Sequence, residues 1–394
     1  MNGDATLTAA DGHIVGNTVS AAGVATLEAA LLTNNTVAGD TIGATAATTI
    51  AGGTYTAVGN ATLTATGFDI DGVTVIAGSA DVTAGRDLKN SAIGGMAFVN
   101  ATAANIANVD IVSADGNVVL TADANVATSA ITAAGDVTVN AGEQIAGTTI
   151  TSSGAATLVA DNITNNNVAA TGDLSAAATT SVVGGTYTTA GIAAVTGAYV
   201  GSLTVAATGN ATITSGSDVE NAAVRGAIVN VTAEDNIENL DAKATRYAWI
   251  QSNTGSVIGA DVVANGIGST NGVVVKAMLD VIDLSATATT AGVNVLAETG
   301  NITGSDVNAK TTAVLTAGNE IDGTDVTAGT DITVAAKKLA ADSFVSEAGM
   351  ITITGVEDIV NSTIWAKDKK AGIVEVTATN EIDGTTIVAG ADLT

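Results

Sequence analysis

Three pairs of acids in this chain have a spacing that chemistry could use. Asp69 and Asp71 flank Ile70, Glu320 and Asp322 flank Ile321, and Glu381 and Asp383 flank Ile382. On an extended backbone, residues two apart project from one face about 6.5–7 Å from each other. Carboxylates at that separation suit an inverting glycosidase, where one protonates the leaving oxygen and the other activates water. The same oxygens can ligate Ca2+, which takes six to eight of them. His13 is the single histidine and there is no cysteine, so neither a thiolate nucleophile nor a zinc site can be assembled. A Ser-His-Asp triad needs a buried, oriented histidine. His13 precedes an apolar Ile14 and is expected to face solvent.

A second set of residues suggests binding. Tyr247 and Trp249 alternate with Ala248 and Ile250, so both aromatics are expected outside, near Lys276 and the 264–272 loop. Trp365 stands next to the insertion Lys367-Asp368-Lys369-Lys370, the most basic spot in the chain. Exposed aromatics beside cations mark interaction surfaces, and a surface glycan is the ligand considered. Tyr55 and Tyr187 differ. They fall in slots held elsewhere by Val19 and Val75, and are expected inside, with Gly52-Gly53 and Gly184-Gly185 relieving the crowding.

These side chains need a scaffold, and the scaffold is a repeat. Residues 3–22 read GDATLTAADGHIVGNTVSAA, residues 59–78 GNATLTATGFDIDGVTVIAG, and residues 311–329 TTAVLTAGNEIDGTDVTAG, a period of 18 to 20 residues. Within each, apolar slots alternate at period two, as in Ala5, Leu7 and Ala9, then Ile14, then Val19 and Ala21. Three short strands per period, with Gly, Asn and Asp at the corners, predict an all-β, right-handed parallel β-helix. About twenty triangular rungs fit the length. The absence of proline agrees, since proline removes a ladder donor. The reading is one solenoid over 1–394, irregular with longer loops at 245–291 and with an insertion at 367–371. LTNNTV followed by GGTYT recurs as ITNNNV followed by GGTYT, a block duplication.

Composition narrows the function. A net charge of −27 with twelve basic residues excludes nucleic acid, whose phosphates need clustered Lys and Arg. No apolar run is long enough for membrane insertion. The repeats Gly-Asn-Ala-Thr-Leu-Thr-Ala and Gly-Asp-Val-Thr-Val-Asn-Ala, each followed by Ile and then Val-x-Ala, resemble the stalk repeats of filamentous-haemagglutinin-like adhesins. That resemblance implies a β-helix of the two-partner-secretion or autotransporter type on the bacterial cell surface. The expectation is therefore a non-enzymatic extracellular fibre or adhesin stalk, with no cofactor beyond Ca2+ at the acid pairs. Ala5, Leu7 and Ala9 at one end and Asp392 and Leu393 at the other carry no polar cap. They are expected to stack head-to-tail on another copy or to continue into a longer stalk. The alternatives are a polysaccharide-active lyase or hydrolase, a phage-associated glycan-binding protein, and ice binding by Thr-x-Thr arrays such as Thr62/Thr64.

Overall fold

The structure is a computed structural model that describes residues 3–266 and 271–391. The expected fold is present: a parallel β-solenoid of about twenty turns, with 47 strands and no helix among the described residues. By internal contacts the chain divides into two units, Met1–Ala194 and Val195–Thr394.

In the first unit, each coil lays three strand segments in register on those of the next. The first segment stacks Leu7 on Leu27, Ala44, Leu63 and Val82. The second stacks Ile14 on Leu32, Ile50, Ile70 and Leu88. The third stacks Val19 on Val37, Tyr55, Val75 and Ile93. From the second coil onward these residues are buried, and their neighbours at odd offsets face outward. Like packs on like because a parallel register puts the same slot of every coil on one line.

The second unit repeats the arrangement with its own fillers. Ile237 stacks on Val257, Val281, Ile302, Ile321, Leu339 and Ile359. Val326 stacks on Phe344 and Ile364. The irregular stretch is visible as a longer coil: Asp261 pairs with Ser285, whereas Asp241 pairs with Asp261. The 367–371 insertion contains a turn, and Trp365 before it keeps the parallel register, pairing with Val388.

One corner is built alike in every coil. Between the second and third segments a residue adopts positive φ: Gly16, Asn34, Gly52, Gly72, Asn90 and Asn108 open the series, and Asn239, Gly259, Gly304 and Gly323 continue it in the second unit. Gly and Asn tolerate this conformation best. Its N–H donates to a carbonyl of the next coil, as Gly16 does to Thr33 and Asn34 to Ala51, both at 2.9 Å. The following residue turns its side chain inward, and its own N–H needs an acceptor. Where the next coil places a polar residue in that slot, the side chain supplies it. Asn35 Oδ1 accepts from Asn17 N (3.0 Å) while its Nδ2 donates to Ile14 O (2.9 Å), and Asn166 does the same for Thr148 N and Ile145 O. Ser91 accepts from Val73 N, Ser129 from Val109 N and Ser305 from Leu284 N. The duplicated Asn-Asn motif is thus a structural bridge, and both asparagines are wholly buried.

The Gly-Gly pairs refine an expectation. Tyr55 and Tyr187 do point inward and are fully buried. The crowding that the glycines relieve, however, comes from the preceding coil's asparagine corner. A Cβ on Gly53 would drive into the Asn35 carbonyl oxygen, and one on Gly185 into that of Asn166.

Candidate functional site

The acid pairs do not share one environment. Asp71 is half-buried, but Asp69, which the alternation about Ile70 puts on the outer face, is only 8% exposed. The cause is the next coil, whose Arg86 reaches back to make a two-pronged contact, Nε–Oδ1 and Nη2–Oδ2 both 2.8 Å, with Lys89 Nζ 2.9 Å from Oδ2. Arg86 also lies over the Phe68 ring at 5.2 Å. Asp87 stands close to both cations, 3.6 and 3.9 Å away. The Arg86 guanidinium, followed by Lys89, holds the Asp69 carboxyl down at about 2 against the opposing effect of burial. Two cations on a single carboxylate leave little of it for calcium or for proton transfer. Arg86 and Lys89 are the only basic residues of the first unit.

Glu320 is half-buried and ion-paired to Lys338 of the next coil, and Asp322 is half-buried beside it. Glu381 and Asp383 are exposed in the last described coil, and Ile382 between them is also 49% exposed. Among the described residues no group of three or more His, Asp or Glu converges as a metal ion would need. His13 is exposed beside buried Ile14.

The aromatic candidates form two clusters in the second unit. Tyr247 and Trp249 project outward from the Asp241–Ser252 strand, as their alternation predicts, but both are half-buried. Their rings sit 6.4 Å apart, and Lys276 Nζ lies 4.8 Å above the indole. The register puts Asn230 on one side of Trp249 and Val274 on the other. Val274 is buried although its slot faces outward, and Asn230 Oδ1 is buried with no partner. The indole N–H donates to Gln251, which donates in turn to Asn253, and that to Glu234. With neighbours against both its faces, Trp249 acts as a cover more than a free stacking platform. Of the 264–272 loop, 267–270 lie outside the described residues.

Trp365 is 43% exposed, with Lys367 Nζ 4.9 Å above its ring and ion-paired to Glu347. Sequence reasoning missed a third feature, an open groove of about 450 Å3 floored by Ala207, Gly226, Ala244 and Val263. Arg225 and Lys243 rim it, and Asp241 faces both, at 3.5 and 2.9 Å. The signal was available as three basic residues within 225–246 of a chain that has twelve.

A further buried acid also went unread. Asp342 occupies the inward corner slot of Asn35 and Asn166, 2% exposed, accepting from Thr324 N (2.9 Å) and Ala340 N (3.1 Å). Burial pushes its carboxyl up to about 8 despite those two N–H donors. It is the acid counterpart of an asparagine bridge. Of the edge residues, Ala5, Leu7 and Ala9 are half-buried where Ala25 and Leu27 beneath them are fully buried, and Asp392 and Leu393 lie outside the described residues.

Comparison with family models, with curated proteins and with solved structures finds no match to this chain.

Proposed function

We propose that the chain is a structural element, a segment of an extracellular fibre or adhesin stalk, that acts through its continuous stacking and not through a reaction. The observation carrying this reading is the coil-on-coil register. In both units the same inward slots and the same left-handed corner recur, so each coil is a template for the next. The acids that a glycosidase would need are bound in ion pairs at Asp69 and Glu320, which speaks against the catalytic alternative. The resemblance to filamentous-haemagglutinin-like stalk repeats supports the same reading, as does an acidic surface that keeps long repeats apart.

Stacking also gives the element its partner. Ile382 is 49% exposed, while Ile359 and Ile321 in the same slot are fully buried. A further coil laid on that edge, from a continuation of the polypeptide or from a second copy, would cover it and satisfy its strand donors. Electron microscopy and light scattering over a concentration series test this. Filaments that lengthen with concentration are expected. Particles of one chain length at every concentration would refute stacking between copies, and release of reducing ends from acidic polysaccharides would refute the structural reading.

A further inference from the structure

The first unit carries a surface that end stacking does not use. Its third strand segments present two outward slots per coil. From Thr18 to Thr188 these slots hold Thr, Ser, Ala, Gly, Asn, Ile and Val, with Asp110 as the one charge. The same slots of the second unit include Arg225, Asp241, Lys243, Asp261, Asp306 and Asp325. Within the quiet face lies an apolar patch: Ile76 is 55% exposed and Val112 48%, with Met96 (59%) and Val58 (80%) on the adjoining corner. An open groove of about 350 Å3 runs beside Val58, lined by Ala21, Ala38 and Gly39.

The large residues alternate with small ones. Gly94 lies between Ile76 and Val112 in one outward column, since Val75 pairs with Ile93 and Ile93 with Ile111. The backbone does not require a glycine there: an added Cβ would meet nothing nearer than Val75 O at 3.5 Å, an ordinary contact. The notch is open space between two knobs. On the corner, Gly78 and Ala114 occupy the coils before and after Met96.

We infer that this face pairs with the same face of a second copy, coils running in opposite directions. A two-fold axis lying in the face, along the strands between the Ile76 and Gly94 coils, sets Ile76 into the partner copy's Gly94 notch and the reverse. The same axis carries Met96 onto Gly78 and Val58 onto Ala114, large against small, and Val112 onto Thr56, a β-branched side chain of like size. Asp110 meets Thr54 and never its own equivalent. An isologous contact of this kind closes at two chains. The axis pairs the fourth coil with the fifth and the first with the eighth, so eight strands about 4.8 Å apart and about 13 Å long give about 500 Å2 per copy, and a pair buries about 1,000 Å2, the size of a weak, reversible interface. For a chain of net charge −27, two copies approach with least repulsion where charge is missing.

Sedimentation equilibrium of the full chain, with and without added salt, tests the pairing. A lateral dimerisation step with a Kd on the order of 10 µM, separable from end-to-end growth by its loss in the face variants, is expected, tightening as salt screens the net charge. Ile76→Glu should weaken it at least about tenfold, by burying a charge. Gly94→Leu should weaken it by filling the notch, and far-ultraviolet circular dichroism should show both variants folded. Mass growth that Ile76→Glu and Gly94→Leu both leave unchanged would belong to end stacking alone and overturn the lateral pair. A monomer at about 200 µM would overturn it too, as would a dimer indifferent to both substitutions. So would thermal hysteresis that monomeric protein shows and Ile76→Glu abolishes, since the face would then serve ice.

Discussion

The corner slot is filled differently in different stretches of the chain, although the coils are otherwise alike. Among the early coils it holds Asn35 and Ser91, whose side chains join one coil's backbone to another's, with Gly53 and Val73 between them. In the first half of the second unit it holds Ala222, Leu240, Ala260 and Leu284, all buried and with no atom to offer the N–H of the preceding corner. From Ser305 to Ser362 polar residues return, and one of them is Asp342. A coil can thus be held by a directed hydrogen bond or by apolar volume. A bridge sets the register and leaves a costly group if broken, whereas a leucine tolerates sliding but contributes area. Stability in stacked repeats is close to a sum over neighbours, so each slot should report locally.

The largest test strikes the glycine that makes room for a bridge. Gly53→Ala forces a Cβ toward the Asn35 carbonyl at a φ of 102°, and about 3–4 kcal/mol of destabilisation is expected in chemical unfolding. Gly323→Ala has the φ penalty but open space, so about 1–2 kcal/mol is expected. Equal losses would mean that the bridge does not define the corner. The converse substitution, Ala341→Gly, relieves a φ of 56° on a non-glycine residue and should stabilise by about 1 kcal/mol.

Two buried acids give the units opposite responses to pH. Asp342 is held near 8 when folded and returns to about 3.8 when unfolded, so the folded state keeps a proton that the unfolded state loses. Its contribution is complete below about pH 4 and fades as pH rises through about 8. Asp342→Asn, the residue found in the same slot at 35 and 166, should remove that loss and stabilise the second unit by about 2–3 kcal/mol near pH 9. Asp69 has the reverse sign. Its folded value is lowered to about 2, so its contribution stands above about pH 4 and is lost as pH falls toward 2. Because both cations are partly solvated, about 1–2 kcal/mol is expected for Asp69→Asn at neutral pH, with most of that effect gone by pH 2. Hydrogen exchange resolved to segments, run from pH 3 to 9, would separate the two; a single common profile would contradict the contrast.

Much of the fold was legible because period and alternation are carried by every coil. The slots of Leu63, Ile70 and Val75 could be assigned from spacing, and Tyr55 and Tyr187 followed by alignment. The site was less legible, for a physical reason. Which neighbours a side chain meets is decided by the coil above, 17 to 20 residues away, as Arg86 and Lys89 are from Asp69. Alternation said that Trp249 faces out but not that Asn230 and Val274 would flank it. The corner slot accepts Asn, Ser, Thr or Asp in one role, and a motif so degenerate shows no consensus to a reader of one sequence.

The smallest test concerns the two tyrosines, which sharpen the case for the bridges. Each follows an asparagine bridge by one coil and fills the third segment's inward slot, with its hydroxyl buried and unpartnered. Burial raises both phenols to about 12, which marks hydroxyls lacking a good acceptor. A Tyr→Phe change keeps the ring's volume and removes an unsatisfied donor, so Tyr55→Phe should be neutral or stabilise by up to about 1 kcal/mol. Tyr187 differs slightly, because the Asn166 side chain close by pulls its phenol the other way, and a smaller gain is expected for Tyr187→Phe. A clear loss in either variant, measured by urea unfolding, would show that the hydroxyl reaches a partner and that the bridge extends one coil further than Asn35 and Asn166. The duplicated block would then be a hydrogen-bonded unit of two coils, and the contrast with the leucine-filled corners of the second unit would widen.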